Sequence, residues 1–199
     1  GGNANINNGG TLDYQTGGAL SLTNAVTIAS GGNIASRSAQ LTVPNAVLPT
    51  AGLLIINQDD QNTSTVILSG NIALTGALEI RVGGGGGNGG IARLDGAISG
   101  PSAISKTQNG VLWLNNAGNS FDGVLYVNSG TVRVTQNNAL GSTVGPTNVA
   151  IGANLQFDGG VTYTTAETVN LSGSLAGGTI SNLSGNNTFN GNVQVVSTI

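Results

Sequence analysis

Two stretches of this 199-residue chain match each other without a gap, 143 positions apart. Residues 2–28 align with residues 145–171, and the apolar positions keep their register, with Leu12 over Leu155. Repeats built of short segments are typical of proteins whose similar units stack along one axis. We therefore expect one stacked domain over 1–199 that continues in phase, as part of a longer repetitive or polymeric assembly.

The alternation of apolar and polar residues predicts an all-β chain. No segment sustains apolar residues at spacings of three and four, whereas period-two alternation recurs, and 34 glycines separate the alternating pairs. Alternation with period two is the pattern of a strand that buries one face. Representative pairs are Leu41 and Val43, Leu112 and Leu114, Val132 and Val134, and Leu155 and Phe157.

The spacing of these pairs favours a coil. Leu112, Val132 and Leu155 head equivalent segments that are 20 and 23 residues apart. In a parallel β-helix each turn adds short strands to separate sheets, so that inward side chains stack on their counterparts. Division of the 199 residues by this period predicts about nine turns of roughly 20–23 residues. An antiparallel sandwich is the alternative, but its hairpins would not enforce the recurrence.

Composition excludes several classes of partner. Only 7% of the residues are charged, there is no Cys or His, and the net charge is −3. Five scattered cations do not form the basic patch that a phosphate backbone requires, so we expect no nucleic-acid partner. The longest apolar run, residues 53–56, is far shorter than the ~18 residues of a spanning helix, so we expect no membrane span in this segment.

The carboxylates do not form a catalytic pattern. Asp59 and Asp60 are the only adjacent acidic pair, and neighbouring strand residues point to opposite faces. Asp95, Asp122 and Asp158 are scattered among different turns, and each adjoins a glycine in a turn-like segment. We therefore predict no catalytic residues, no metal ligands and no cofactor, and an enzyme on this scaffold remains the less favoured alternative.

One outward column combines an aromatic ring with two cations. Arg93, Trp113 and Arg133 are spaced 20 residues apart and alternate with inward residues, so turns of that length would stack them. Tyr126 on the following strand is outward by the same rule and extends the predicted interaction stripe. Such a stripe binds a sugar ring or a neighbouring subunit, or it only supports the coil through cation–π contacts; both interpretations stay open.

The C-terminal segment suggests an assembly edge. Residues 192–199 run apolar without the polar cap that normally covers the end of a solenoid. We predict that Val193, Val195, Val196 and Ile199 form an edge for end-to-end stacking of copies. The alternative is that the chain is an excerpt of a longer surface protein.

The segment from Ile104 to Gly141 resembles the passenger-associated transport repeat, also called the autotransporter-associated β-strand repeat. The family pattern is matched at Lys106, Gly110, Leu112, Leu114, Asn119, Phe121, Gly123, Val127, Gly130, Thr131, Val132, Val134, Ala139, Leu140 and Gly141. The resemblance implies a right-handed β-helix in secreted or surface-displayed bacterial proteins, and it implies no catalytic residues.

These observations together predict a function. We expect a non-enzymatic extracellular β-solenoid at the bacterial cell surface that forms a stalk, filament or surface layer and whose partners are other copies of itself. The alternative is a carbohydrate-binding adhesin segment that binds surface glycans through Trp113, Arg93, Arg133 and Tyr126.

Overall fold

The computed structural model describes residues 3–15, 17–37, 39–57, 64–83, 89–173 and 177–197. Within these residues the chain forms twenty-five strands and no helix. Accordingly, this part of the chain contains no helix long and apolar enough to cross a membrane.

The strands are short, and they follow one another with few residues between them. The first thirteen are β1 (Ala4–Ile6), β2 (Thr11–Tyr14), β3 (Leu20–Ser21), β4 (Val26–Ile28), β5 (Asn33–Ser36), β6 (Leu41–Val43), β7 (Ala46–Val47), β8 (Gly52–Ile56), β9 (Thr65–Leu68), β10 (Ile72–Ala73), β11 (Leu78–Val82), β12 (Ile91–Leu94) and β13 (Ile98–Gly100). The others are β14 (Ile104–Thr107), β15 (Val111–Leu114), β16 (Ser120–Phe121), β17 (Leu125–Val127), β18 (Thr131–Val134), β19 (Thr147–Val149), β20 (Asn154–Asp158), β21 (Thr162–Tyr163), β22 (Thr168–Gly173), β23 (Thr179–Ser184), β24 (Thr188–Phe189) and β25 (Asn192–Ser197).

The strands form three faces of a parallel coil. Sheet 1 has nine strands in the order β2-β5-β8-β11-β14-β17-β19-β22-β25, and sheet 2 has eight in the order β23-β20-β18-β15-β12-β9-β6-β3. The third face consists of the shorter groups β1-β4-β7, β10-β13-β16 and β21-β24. In most turns the chain passes from sheet 1 to sheet 2 to the third face, although β19 of sheet 1 follows β18 of sheet 2 with no strand between them. The predicted all-β parallel β-helix is confirmed.

The coil makes about eight turns, close to the nine predicted. The register pairs Leu112 with Val132 and Val132 with Leu155, as their spacing predicted. Other turns are longer than predicted; for example, Ile80 pairs with Lys106, which is 26 residues further along the chain. Part of this variation arises between sheets 1 and 2, where eight residues separate β8 from β9 but only three separate β14 from β15.

The long sequence repeat does not superpose the same faces. The segment of β2, in sheet 1, matches the segment of β20, in sheet 2, and β4 of the third face matches β22 of sheet 1. The two copies are therefore one face out of phase, unlike the in-phase continuation expected from the sequence. The repeated feature is the inward–outward alternation of one strand and its turn, which serves any of the three faces.

The interior is filled by aliphatic side chains stacked between turns. Val66, Ala92, Leu112 and Val132 follow one another in register along sheet 2, and all are fully buried. Removal of this apolar surface from water supplies roughly 25 cal/mol per Å² buried and is the main force that holds the turns together. In the later turns Phe157, Tyr163 and Phe189 replace aliphatic residues, with ring centroids 5.4–6.1 Å apart.

Buried amides connect successive turns at the corners. Asn119 accepts a hydrogen bond from the backbone N–H of Ile98 at 2.9 Å and donates one to the carbonyl of Ala139 at 2.7 Å. This single side chain therefore joins the turns below and above it. Backbone segments also approach closely, since a Cβ atom at Gly96 would lie 2.0 Å from the carbonyl oxygen of Gly70, which requires glycine there.

Candidate functional site

The outer face of sheet 2 contains the predicted column of cations and an aromatic ring. The strand register pairs Arg93 with Trp113 and Trp113 with Arg133. All three side chains are half-buried and point away from the core, because their sequence neighbours Leu112 and Leu114 fill the interior. The Cζ atom of Arg133 lies 4.7 Å from the centroid of the Trp113 ring, which is cation–π geometry.

The two cations differ in their partners. The Nε of Arg93 donates to Asp95 Oδ1 at 2.7 Å, and Asn115 Nδ2 donates to the same oxygen at 2.7 Å. Thr135 Oγ1 in turn donates to Asn115 Oδ1 at 2.6 Å, so this polar chain links three successive turns. Arg93 is thus engaged by a carboxylate beside the column, whereas Arg133 covers the ring.

Arg133 and Trp113 are both half-buried, and neighbouring groups restrict access to both side chains. Arg133 Nε donates to Gln156 Oε1 at 2.8 Å, and burial lowers the pKa of its guanidinium. The Nε1 of Trp113 is buried and has no hydrogen-bond partner among the residues described. Its N–H therefore cannot meet a ligand without movement of the ring, and one ring face is occupied by Arg133. This geometry favours intramolecular support of the coil over a binding role for the column.

Tyr126 lies on a different face of the molecule. It belongs to β17 in sheet 1, where it pairs with Ser105 and Asn148, and it is 37% exposed. The structure therefore brings Arg93, Trp113 and Arg133 together but leaves Tyr126 outside their column. The sequence rule that outward residues of consecutive strands share a surface fails here, because consecutive strands belong to different sheets.

A groove surrounds Tyr126 on the outer face of sheet 1. Its volume is about 390 Å³, and we call it the Tyr126 groove. It is lined by Tyr126, Asn128, Asn148, Ala150, Asn170, Ser172 and Val196. Sequence analysis named two of this set, Tyr126 as an outward residue of the interaction stripe and Val196 as part of the assembly edge. The signal for the others was the recurrence of outward Asn148 and Asn170 at 22-residue spacing.

The predicted assembly edge is partly described. Val193 and Val195 pair with Val169 and Leu171 in β22, so they occupy inward columns, yet they are 45% and 75% exposed. Val196 is 38% exposed. The described strands place no neighbour on the other side of β25, which is why these side chains face solvent. Ile199 lies outside the described residues.

Lys106 is a buried cation that sequence analysis did not single out as a site. It continues the inward column of Ile80 and Val127 and is fully buried. Its Nζ donates to the carbonyls of Thr107, Gln108 and Ser129 at 3.2, 2.5 and 2.9 Å. Burial lowers the pKa of its ammonium to about 7. These three acceptors fasten two turns at one corner, which is a structural role.

Glu167 is a buried acid that was also missed. It precedes Val169 by two residues, so alternation marks it as inward, and it is fully buried. Thr147 Oγ1 donates to Glu167 Oε1 at 3.0 Å, while Oε2 has no partner among the described residues. Burial raises the pKa of this carboxyl to about 7. The protonated form therefore predominates in the fold only below about pH 7.

The described carboxylates do not converge on a metal. Within the described ranges no three acidic side chains lie close enough to hold a metal ion. The adjacent pair Asp59 and Asp60, the best catalytic candidate from the sequence, lies outside those ranges. The expectation that the chain is not an enzyme therefore stays a prediction.

Comparisons with known proteins found no match to this chain. No protein-family model, no curated protein and no solved structure matches the chain. The resemblance of residues 104–141 to the passenger-associated transport repeat stays a prediction that rests on the sequence.

Proposed function

We propose that this chain is a non-enzymatic structural β-solenoid that forms a rigid stalk, filament or surface layer outside the bacterial cell. The observation that carries the proposal is the continuous stacking of parallel strands along sheets 1 and 2, with inward side chains buried from turn to turn. Cross-turn bonds such as those of Asn119 and Lys106 resist shear between turns. Each turn of such a coil contacts only its neighbours, so the coil lengthens along one axis as turns are added.

Self-association through β25 is the second part of the proposal. An edge strand with unpaired backbone groups recruits further strands, and natural proteins usually protect such edges with charge or proline. The β25 segment, NVQVVS, contains neither, and its Val195 side chain is three-quarters exposed in an inward column. A second copy that adds a strand to this edge would bury Val193 and Val195 as the interior valines are buried.

The extracellular setting rests on the resemblance of residues 104–141 to the passenger-associated transport repeat. The carbohydrate-binding alternative is not favoured at Trp113, because Arg133 covers the ring and the indole N–H is buried. A filament or layer built of neutral polar faces is the simpler use of this exterior.

Sedimentation velocity over a hundredfold range of concentration, combined with electron microscopy, tests the proposal. We expect the wild-type chain to form assemblies that lengthen with concentration, and Val195→Asp to remain dispersed because a charge in the edge column opposes burial. Val144→Asp is the matched control: Val144 is 74% exposed, but it lies on a bend away from β25. Assembly of Val195→Asp at the wild-type level would refute the edge, and loss of assembly in both variants would point to a general charge effect.

A further inference from the structure

The Tyr126 groove runs along the coil axis on the outer face of sheet 1. Tyr126, Asn148 and Asn170 occupy successive strands of one register column, so they are spaced at about 4.8 Å intervals and span roughly 10 Å. Asn128, Ala150 and Ser172 form the adjacent wall. The volume of about 390 Å³ lies within the range of small-ligand sites, roughly 300–1,000 Å³.

The polar groups of the groove have free hydrogen-bonding capacity. Asn170 Nδ2 donates to Asn148 Oδ1 at 2.8 Å, which fixes the two amides and leaves the Nδ2 of Asn148 and the Oδ1 of Asn170 without a partner among the described residues. Within the same described ranges, the Tyr126 and Ser172 hydroxyls and the side-chain amide of Asn128 make no hydrogen bond. The groove thus presents both donors and acceptors beside one exposed aromatic ring.

The lining carries no charged side chain. A phosphate, carboxylate or ammonium ligand would find no opposite charge there, and its desolvation would not be repaid. A neutral ligand rich in hydroxyl groups suits the site, because planar amides bond hydroxyls in pairs while a tyrosine ring covers the apolar C–H face of a sugar. The sheet 2 column differs here, because it carries two guanidinium groups and a covered ring.

The groove continues into a second hollow on the same face. That hollow has a volume of about 380 Å³ and shares Asn128 with the first, and Ser105 and Thr107 lie in its wall. Glu79 at its far side is already paired with Arg81 at 2.9 Å and accepts a hydrogen bond from Thr107. The two hollows form one track that runs from Gly52 in β8 to Val196 in β25, with Tyr126 near its middle.

We propose that this track binds a neutral linear oligosaccharide that lies along the solenoid axis and stacks one sugar ring on Tyr126. An elongated track without a deep enclosed pocket fits a polymer better than a single small molecule. This binding activity goes beyond the scaffold role proposed above and does not depend on self-association through β25.

Isothermal titration calorimetry with the full chain tests the proposal. The probes are neutral oligomers of glucose, mannose, galactose and N-acetylglucosamine, four to six units long. We expect at least one to bind with a Kd below about 1 mM, Tyr126→Ala to weaken it at least about tenfold, and Tyr126→Phe to retain it because the ring remains. The fluorescence of Trp113, which lies on sheet 2, should not change on binding.

Matched variants exclude trivial explanations. Trp113→Ala should bind as the wild type does, and the exposed Asn128→Ala provides a second groove variant that leaves the aromatic ring in place and should weaken binding. Far-UV circular dichroism checks that each variant folds. The proposal is overturned if none of the neutral oligomers binds, if an acidic oligosaccharide binds in their place, or if Trp113→Ala abolishes binding while Tyr126→Ala preserves it. The titration is repeated in the Val195→Asp variant, which is expected to stay dispersed, so failure of binding is distinguishable from failure of the scaffold proposal.

Discussion

The middle turns and the last described turn of the coil have the same alternation of apolar and polar residues, but their inward side chains are buried to different extents. Leu112 in β15 and Val195 in β25 both occupy inward columns of parallel sheets. Leu112 has a strand on each side and is fully buried, whereas Val195 has a described neighbour on one side only and is 75% exposed. Alternation therefore decides where a side chain points, but burial in a solenoid requires a turn above and a turn below.

The largest expected effect is that of a cavity in the middle turns. Leu112→Ala should lower the free energy of unfolding by about 2–5 kcal/mol, because the turns on both sides prevent the cavity from collapsing. Val195→Ala, at the exposed position, should change it by less than about 0.5 kcal/mol. Urea unfolding of both variants measures the difference, and equal losses would contradict the dependence on two-sided stacking.

Replacement of a buried side-chain amide should also lower stability more than replacement of an exposed one. Asn119→Ala removes the partner of the Ile98 N–H and of the Ala139 carbonyl, so we expect a loss of about 1–3 kcal/mol for the buried groups left unpaired. Asn186→Ala in the later turns changes an exposed side chain and should cost little. Thermal unfolding of the two variants compares them, and a smaller loss for Asn119→Ala than for Asn186→Ala would contradict this interpretation.

The pH dependence of stability tests how well Glu167 is buried. This residue lies close to the C-terminal turns, whose side chains are more exposed than those of the middle turns. Its pKa rises from 4.5 when unfolded to about 7 in the fold. The stability that this group contributes is therefore complete below about pH 4.5 and is lost as the pH rises to about 7. Glu167→Gln should be more stable than the wild type at pH 8, by about 1–2 kcal/mol.

Urea unfolding of the wild type and of Glu167→Gln at pH 4, 6 and 8 measures the difference in their free energies of unfolding. This difference should increase in favour of the variant from pH 4 to pH 8. A difference that stays constant with pH would mean that Glu167 is solvated and that these turns are open to water.

A smaller loss than in the interior is expected for the outer column of sheet 2. Trp113→Ala removes the contact with Arg133, and exposed cation–π pairs contribute about 0.5–1 kcal/mol. Arg133→Gln at the same contact is the companion variant and should give a similar loss in urea unfolding. A loss as large as that of Leu112→Ala would mean that the outer column, and not the interior, holds the middle turns together.

The sequence predicted most of the fold because one rule governs nearly every strand. The spacing of Leu112, Val132 and Leu155 predicted their register, which the strand pairing confirms. Turn length was less predictable, because the connection between sheets 1 and 2 varies, from eight residues between β8 and β9 to three between β14 and β15. The phase of the long repeat was hidden, since one alternation suits all three faces.

Sequence analysis missed charged residues that lie at inward positions of the coil. Lys106 and Glu167 occupy inward positions by the alternation of their segments. Charged residues are normally exposed, so these two were not singled out as buried residues. Tyr126 was grouped with Trp113 because both are outward, although the coil assigns them to different sheets. Which outward residues share a surface depends on the number of faces per turn, and the alternation alone does not contain that number.

Hydrogen exchange by mass spectrometry, at low and high protein concentration, is the most direct test of stacking as the basis of both stability and assembly. We predict that amides of β15, β17 and β18 are strongly protected at both concentrations. Those of β25 should exchange rapidly in dilute solution and gain protection as copies associate. Protection of β25 equal to that of β15 in dilute solution, or no gain at any concentration, would contradict a scaffold that extends through this edge.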